Sequence, residues 1–392
     1  MSMNETPSGE RIHIGIFGRR NAGKSSLLNA LTAQELAIVS DTPGTTTDPV
    51  KKAMELLPLG PVVLIDTPGL DDEGELGKLR VDKALEALRQ CNMALVVVDE
   101  KTSDVSLERE LVKELSDRGI PYIVCLNKCD TVSGINHDFE NAMTVSCLTK
   151  EGINELKNRM ATMVNPNSGR RLVGDLIETG DVAVLVVPID SAAPKGRLIL
   201  PQQQTIRDIL ESGGIPVVTR ETELAECLTK LAVKPKLVIT DSQAFAVVSK
   251  IVPEDIYLTS FSILMSRYKG DLGWQTGGAY ALENLKEGAS ILISEGCTHH
   301  RQCGDIGTVK LPAWIKNYTG KNFDFHFTSG GEFPKDLTAY SLIIHCGGCT
   351  LNDEEMKYRI KSAQQQNVPI TNYGIAISYM NGILKRSTAI FS

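Results

Sequence analysis

The eight residues Gly18-Arg19-Arg20-Asn21-Ala22-Gly23-Lys24-Ser25 directly follow an apolar run, Ile12 to Phe17, and no other stretch of the chain restricts its fold as strongly. The pattern G-x-x-x-x-G-K-S works only between a strand and a helix, and Ser26 to Leu31 supplies the helix. Gly18 and Gly23 let main-chain N–H groups curl around phosphates, with Asn21, Ala22 and Ser26 completing the loop and the helix start. Lys24 is suited to neutralise the β- and γ-phosphate oxygens, and the Ser25 hydroxyl to bind magnesium. The expectation is a three-layer α/β domain with a mainly parallel sheet and a P-loop at one end.

Three further loops follow apolar runs in the order a nucleotide site needs. Val62 to Ile65 ends in Asp66-Thr67-Pro68-Gly69, where the carboxylate can hold magnesium through water and the Gly69 N–H can reach a γ-phosphate. Tyr122 to Leu126 ends in Asn127-Lys128-Cys129-Asp130. The Asp130 carboxylate can accept from the N1–H and the exocyclic amine of guanine. Adenine would set a lone pair against that buried charge, a costly mismatch. Val145-Ser146-Cys147 falls where a loop would close over the base. Together the four loops predict GTP as the nucleotide.

At 392 residues the chain exceeds one ordinary core, and about three domains are expected. A net charge of −7 without a long Lys/Arg run argues against a nucleic-acid partner. Apolar stretches such as Val182 to Val187 fall far short of the roughly 18 residues of a membrane span. Met1 to Glu10 is polar, unlike a signal peptide, so a cytoplasmic protein is expected. Nine cysteines, an odd number, then point to reduced thiols and metal rather than disulfides. Cys91, Cys125, Cys129 and Cys147 read as small buried hydrophobes, and His13 as a packed strand residue.

The first domain, residues 1–165, resembles the branch of translation-factor-type GTPases that includes the tRNA-modification and ribosome-assembly enzymes. Pro43-Gly44-Thr45-Thr46-Thr47-Asp48 is similar to that branch's switch I, which implies Thr46 as second magnesium ligand. The resemblance also implies that Asn21 helps hold an activating potassium ion. Many small GTPases carry a water-orienting glutamine after the switch II glycine, Gly69; this chain has Leu70, so slow intrinsic hydrolysis is expected. Lys24, Thr46 and Gly69 are the expected catalytic set. Glu73 and Glu75 read as an acidic solvated loop, and His137 has no assigned role.

Beyond the linker Asn165 to Arg171, residues 172–268 alternate strand patterns (Val182 to Val187, Ile215 to Val218, Leu237 to Thr240, Ile256 to Leu258) with helical ones (Gln203 to Leu210, Glu221 to Leu231, Ala244 to Ile251). That alternation predicts a parallel α/β layer. Asp190-Ser191 and Lys195-Gly196-Arg197 read as a connecting loop. A sheet edge without a neighbour suits docking or self-association, so a homodimer or higher homo-oligomer is expected.

Residues 270–392 hold the second chemical signature. Ser290 to Ile293 leads into Glu295-Gly296-Cys297-Thr298-His299-His300, and Tyr340 to Ile344 leads into His345-Cys346-Gly347-Gly348-Cys349. Thiolates with a neighbouring imidazole suit an iron–sulfur cluster or zinc. If the two strands are parallel neighbours, Cys297, Cys346 and Cys349 emerge at one sheet edge, where such sheets bind ligands. Asn352 is placed to cap the next helix with Glu355 as capping-box partner. That helix's positive end would favour thiolate at Cys346 and Cys349. Gly347 and Gly348 are expected to aim N–H groups at sulfur. Cys303 reads as a surface thiol and His326 as a strand residue.

The order Cys-x-His, then His-Cys-x-x-Cys, followed through Asp305-Ile306-Gly307-Thr308-Val309-Lys310-Leu311-Pro312 and preceded by the GTPase loops, resembles the GTPase maturases of FeFe hydrogenase along the whole chain. The resemblance implies a scaffold that binds a 4Fe–4S cluster through Cys297, Cys346 and Cys349, with His299 and His345 as the motif histidines. It also implies receipt of a di-iron subcluster precursor from two radical-SAM maturases and its delivery to apo FeFe hydrogenase. Two rivals remain: a zinc-stabilised GTPase metallochaperone, and an RNA-modification or ribosome-assembly GTPase, which would be expected to carry a basic face.

Overall fold

Six strands build the first sheet: β1 Ile12–Phe17, β2 Val50–Leu56, β3 Gly60–Asp66, β4 Met93–Asp99, β5 Tyr122–Asn127 and β6 Ala142–Val145. This computed structural model describes residues 6–32, 49–71, 83–130, 138–164, 170–189, 198–297 and 305–392. Pro43 to Asp48 with Thr46, then Glu73, Glu75, His137, Asp190, Ser191, Lys195 to Arg197, Thr298, His299, His300 and Cys303 lie outside the described residues. The chain divides into two units, residues 1–168 and 169–392.

In the first unit the strand order is β2-β3-β1-β4-β5-β6, with β2 antiparallel to β3 and the other pairs parallel. β1 and β5 are buried along their whole length, as strands must be when helices cover both faces. The helices Lys24–Thr32 and Ile153–Met163 pack on one face through Leu27, Leu31, Leu156 and Met160. The helix Ser106–Arg118 packs on the other through Leu111 and Leu115. Because β1, β3, β5 and β6 run the same way, the loops after them gather at one sheet edge.

The second unit holds two four-stranded sheets, both parallel throughout. The first contains β7 Val182–Val186, β8 Ile215–Thr219, β9 Leu237–Thr240 and β10 Tyr257–Ser260, in the order β10-β9-β7-β8. The second contains β11 Ser290–Glu295, β12 Asp324–Ser329, β13 Leu342–His345 and β14 Ile370–Asn372, in the order β12-β11-β13-β14. One apolar core runs through both, joining Val184, Val238 and Leu258 to Ile291, Ile293, Ile344 and Ile377. Pro201 lets the first expected helix start early, at Leu200–Glu211. The next is shortened to Leu224–Lys230, because an Arg220–Glu223 ion pair closes a turn ahead of it. His326 is a β12 residue facing Asp324, and Cys227 packs against the shared core.

Candidate functional site: nucleotide loops and cysteine turns

Gly18 leaves β1 at φ 149°, where a side-chain carbon would lie 2.3 Å from the Val97 carbonyl oxygen. Gly23, at φ 102°, would bring one within 2.2 Å of Asn127 Nδ2. Only glycine fits either place. Lys24 is buried, and its Nζ donates to the carbonyls of Gly18 (2.9 Å) and Arg19 (2.7 Å), which hold the ammonium against the loop. Ser25 Oγ donates to Asp66 Oδ2 at 2.8 Å, so two magnesium-side groups, one at a helix start and one at a strand end, touch. Asp66 Oδ1 is buried with no hydrogen-bond partner among the described residues. Burial pushes the Asp66 carboxyl up, with Ser25 and Lys24 working against it. A hydroxyl, a carboxylate and one unsatisfied oxygen fit a hard cation that completes its shell with water.

Switch II begins over the phosphate loop. Leu70 N donates to Gly18 O (3.3 Å) and Arg20 N to Asp71 Oδ1 (2.7 Å), while the Leu70 side chain packs into the core. Arg19 pins the other side of the loop, bonding buried Glu108 at 3.1 Å and Asp104 at 3.2 Å. None of these clamps has a motif in the sequence.

The base loops lock onto the phosphate loop through two side chains, Asn127 and Lys128. Asn127 Nδ2 donates to Ala22 O (3.0 Å), and its Oδ1 accepts from Cys147 N (3.3 Å). Lys128, at φ 73°, donates to Asn21 O (3.0 Å) and Asp99 (2.6 Å). The Ser146 hydroxyl donates to Asp130 and is itself fixed by Thr149 N at 3.1 Å. Gly18, Asn21 to Ser26, Asp66, Gly69, Asn127, Lys128, Asp130, Ser146 and Cys147 thus occupy one sheet edge. Ser146 orients the carboxylate that would read guanine.

In the second unit, β11 and β13 are parallel neighbours, with Ser294 beside His345. Their two sulfur-bearing turns meet. Gly296 N donates to Cys346 Sγ at 3.0 Å, Gly348 N donates to the same sulfur at 3.3 Å, and Thr350 Oγ1 donates to Gly296 O at 2.7 Å. Gly348 sits at φ 63°, where a side-chain carbon would strike Met356 Sδ at 2.6 Å. Cys297, Cys346 and Cys349 are all half-buried thiols outside any disulfide, close enough that Cys297 and Cys349 both bear on the Cys346 charge. Three thiols with two N–H groups aimed at one sulfur fit an iron–sulfur cluster's donor set. Among the described residues, no three His, Cys, Asp or Glu side chains stand close enough to hold one metal ion as they are.

Three expectations need correction. Burial outweighs the helix end at the thiols: Cys346 is pushed up to about 12, and Cys349 is raised despite nearby Lys269. The thiols are protonated until a metal displaces the protons. The capping box is half formed, because Asn352 accepts from Glu355 N (3.1 Å) while the Glu355 carboxylate takes Arg359 Nε (2.8 Å). His345 is no metal ligand here. It is fully buried, with Nδ1 2.8 Å from Cys346 O and Nε2 accepting from Arg359 at 2.9 Å. Burial and the Arg359 charge drop its pKa to about 3, so the ring is neutral.

Arg359 is the buried centre behind the turns. It bonds Glu355, Ser294 (3.2 Å), His345 and Gly330 O (2.7 Å), and lies 5.0 Å from the Phe333 ring centroid.

Residues 13–128 match the 50S ribosome-binding GTPase family, 172–270 the hydrogen maturase F dimerization domain and 275–390 the hydrogen maturase F tetramerization domain. The tRNA modification GTPase MnmE of Moorella thermoacetica is 36% identical over 181 residues, 42% of this chain and 37% of that protein. Its counterpart from Thermosipho melanesiensis is 31% identical over 150 residues, 38% of this chain and 33% of the relative. The chain therefore spans little more than a third of these relatives. A solved variant of Era from Aquifex aeolicus with GDP and AlF4− aligns at 18% identity and a TM-score of 0.36, covering 56% of this chain and 98% of that one. A GTPase domain followed in order by both maturase F domains means that the chain belongs to the hydrogen maturase F family.

Proposed function

We propose that the protein is a GTP-hydrolysing scaffold that carries a 4Fe–4S cluster on Cys297, Cys346 and Cys349, and assembles and delivers a di-iron subcluster precursor to apo FeFe hydrogenase. The observation that carries this reading is the Gly296 N–H on Cys346 Sγ at 3.0 Å, which ties two sulfur turns from distant sequence into one. The cluster, when bound, supplies a coordination position that the three thiolates leave open. The chain's own residues protect that site: Gly296 and Gly348 donate to sulfur, and Thr350 clamps one turn to the other.

In the nucleotide site, Ser25, Asp66 and Thr46 would hold magnesium, which neutralises phosphate charge. Asn21 would hold potassium. Lys24 stabilises charge on the β–γ bridge as water attacks the γ-phosphorus and that bond breaks, yielding GDP and phosphate. Leu70 offers no polar group to the attacking water, so hydrolysis is slow and serves as a timing switch. A coupling of about 1–3 kcal/mol between nucleotide and cargo sites changes a partner's affinity some 5–150-fold. The two radical-SAM maturases and the hydrogenase are the partners. Segments 1–165, 172–268 and 270–392 divide the work into switch, self-association and cargo.

The dimerization and tetramerization domains make the protein a homo-oligomer. We place one self-contact at the β8 edge, where Ile215 and Val218 are about half exposed on a strand that pairs only with β7 among the described residues.

Anaerobic reconstitution with iron and sulfide tests the reading. The expected result is a brown protein with about four iron and four sulfide per chain, and thiolate-to-iron absorption that serine at Cys346 removes. Zinc at one ion per chain with no sulfide uptake would replace the reading with a zinc metallochaperone. Potassium in place of sodium should raise GTP turnover, and an equal rate in both salts would remove the role given to Asn21.

A further inference from the structure

Lys269 ends the helix Phe261–Lys269, a position where a lysine usually reaches water, yet only 1% of it is exposed. Its Nζ turns inward and donates to three main-chain carbonyls of the cysteine turn: Gly348 (3.4 Å), Cys349 (3.3 Å) and Leu351 (2.6 Å). The consequence for the turn is directional. With carbonyls drawn to Nζ, the opposite edge presents N–H, and Gly348 N does donate to Cys346 Sγ at 3.3 Å.

The helix end that presents Lys269 is itself held. Arg267 forms an ion pair with Asp175, its Nη1 lying 2.9 Å from Oδ1, and also donates to Leu172 O at 3.4 Å. Met265 and Ser262 of the same helix back Gly347. This helix therefore backs the Gly347 side of the Cys346–Cys349 turn, and its buried cation completes the contact.

We propose that Lys269 is a positioning residue for the cluster, fixing the peptide orientations of the Cys346–Cys349 turn and placing a fixed positive charge beside the anionic cluster. This inference rests on the cluster reading above. A cluster held by three thiolates carries negative charge, and its reduction adds more. A buried cation then favours retention of the thiolates and of the reduced state. Outer partners of metal ligands commonly change metal affinity 10–100-fold when removed, about the effect expected here.

The experiment uses the full chain reconstituted anaerobically with iron and sulfide, as wild type, Lys269→Met and Lys269→Arg. Two quantities are read: the rate of iron loss to a chelator and the cluster's midpoint potential followed by electron paramagnetic resonance. Lys269→Met should lose iron about 10–100-fold faster, with the potential shifted negative. Lys269→Arg keeps the charge, but its planar fork cannot gather three carbonyls at one point. It should hold the potential near wild type while losing iron faster. A methionine variant with wild-type lifetime and potential overturns the proposal. So does an arginine variant with an unchanged lifetime, which decides the matter even if the methionine variant does not fold. Failure of the wild type to take up iron and sulfide would sink the cluster reading instead, so the two failures are distinguishable.

Discussion

The nucleotide loops and the cysteine turns are both built at the C-terminal edge of parallel strands, but they are held in place differently. Around the phosphate loop the chain holds itself, through Asn127 on Ala22 O, Lys24 on Gly18 O, and Ser25 on Asp66. Asn127, Lys24 and Ser25 also belong to binding motifs, and the outer clamps on the loop, from Asp71, Asp104 and Glu108, add to them. Behind the cysteine turns the holding residues are two buried cations, Lys269 and Arg359, that belong to no motif. A site whose ligand is bound by main-chain N–H groups can be supported by the motif itself. A site whose proposed ligands are three side-chain sulfurs needs a separate frame to aim them.

The sharpest way to break this contrast is to remove the frame. Arg359→Met leaves Glu355 as a buried carboxylate without its guanidinium, and breaking a buried pair in this way costs about 3–5 kcal/mol. For a unit of this size the melting midpoint should fall by roughly 6–20 °C. Hydrogen exchange in residues 169–392 reports the loss. Unchanged protection there would mean that the turns do not depend on Arg359.

Lys24→Ala acts in the opposite sense. It should lower GTP turnover by about 10²–10³-fold, the effect of removing one preorganised charge from a transition state, while iron and sulfide content after reconstitution stays at wild type. Loss of the cluster in that variant would show that the two sites are not separately supported.

Asp130→Asn sharpens the comparison at the base. It exchanges an acceptor for a group that carries its own N–H donors opposite guanine's. Hydrogen bonds to a charged group contribute about 1.5–3 kcal/mol, so GTP affinity should fall roughly 10–150-fold, with xanthosine triphosphate gaining. Equal affinity for GTP in both proteins would remove Asp130 from the recognition role.

How much of this was legible in the sequence follows from the same contrast. Gly18 to Ser25, Asp66 to Gly69 and Asn127 to Asp130 were readable because each loop's chemistry and its local support lie within a few residues. The convergence of Cys297 with Cys346 was readable only on the condition that two apolar runs be parallel neighbours, which the pairing of β11 with β13 meets. Lys269 was not, because a lysine at a helix end carries no sign that it will turn inward rather than outward. His345 misled for a related reason: an imidazole beside cysteines reads as a ligand until Arg359, 14 positions on, takes its free nitrogen. Helix dipole arguments misjudged the thiols, since the sequence does not disclose how deeply Cys346 sits.

The smallest expected effect tests whether the helix anchor belongs to the frame at all. Asp175 is 41% exposed and its partner Arg267 26%, so their ion pair is well screened. Asp175→Asn should cost no more than about 1 kcal/mol. The pH dependence carries the sign. The Arg267 hydrogen bond holds the Asp175 carboxyl below its ordinary value. A carboxyl with a depressed folded pKa contributes stability above its unfolded value of about 3.9 that disappears as pH falls through the lower folded value. The gap between wild type and Asp175→Asn in denaturant unfolding should therefore be constant from about pH 5 to 8 and close on acidification below 3.9. A gap that widened on acidification would mean that Asp175 supports the helix through something other than its charge, and the anchor would have to be sought in the Arg267 bond to Leu172 O instead.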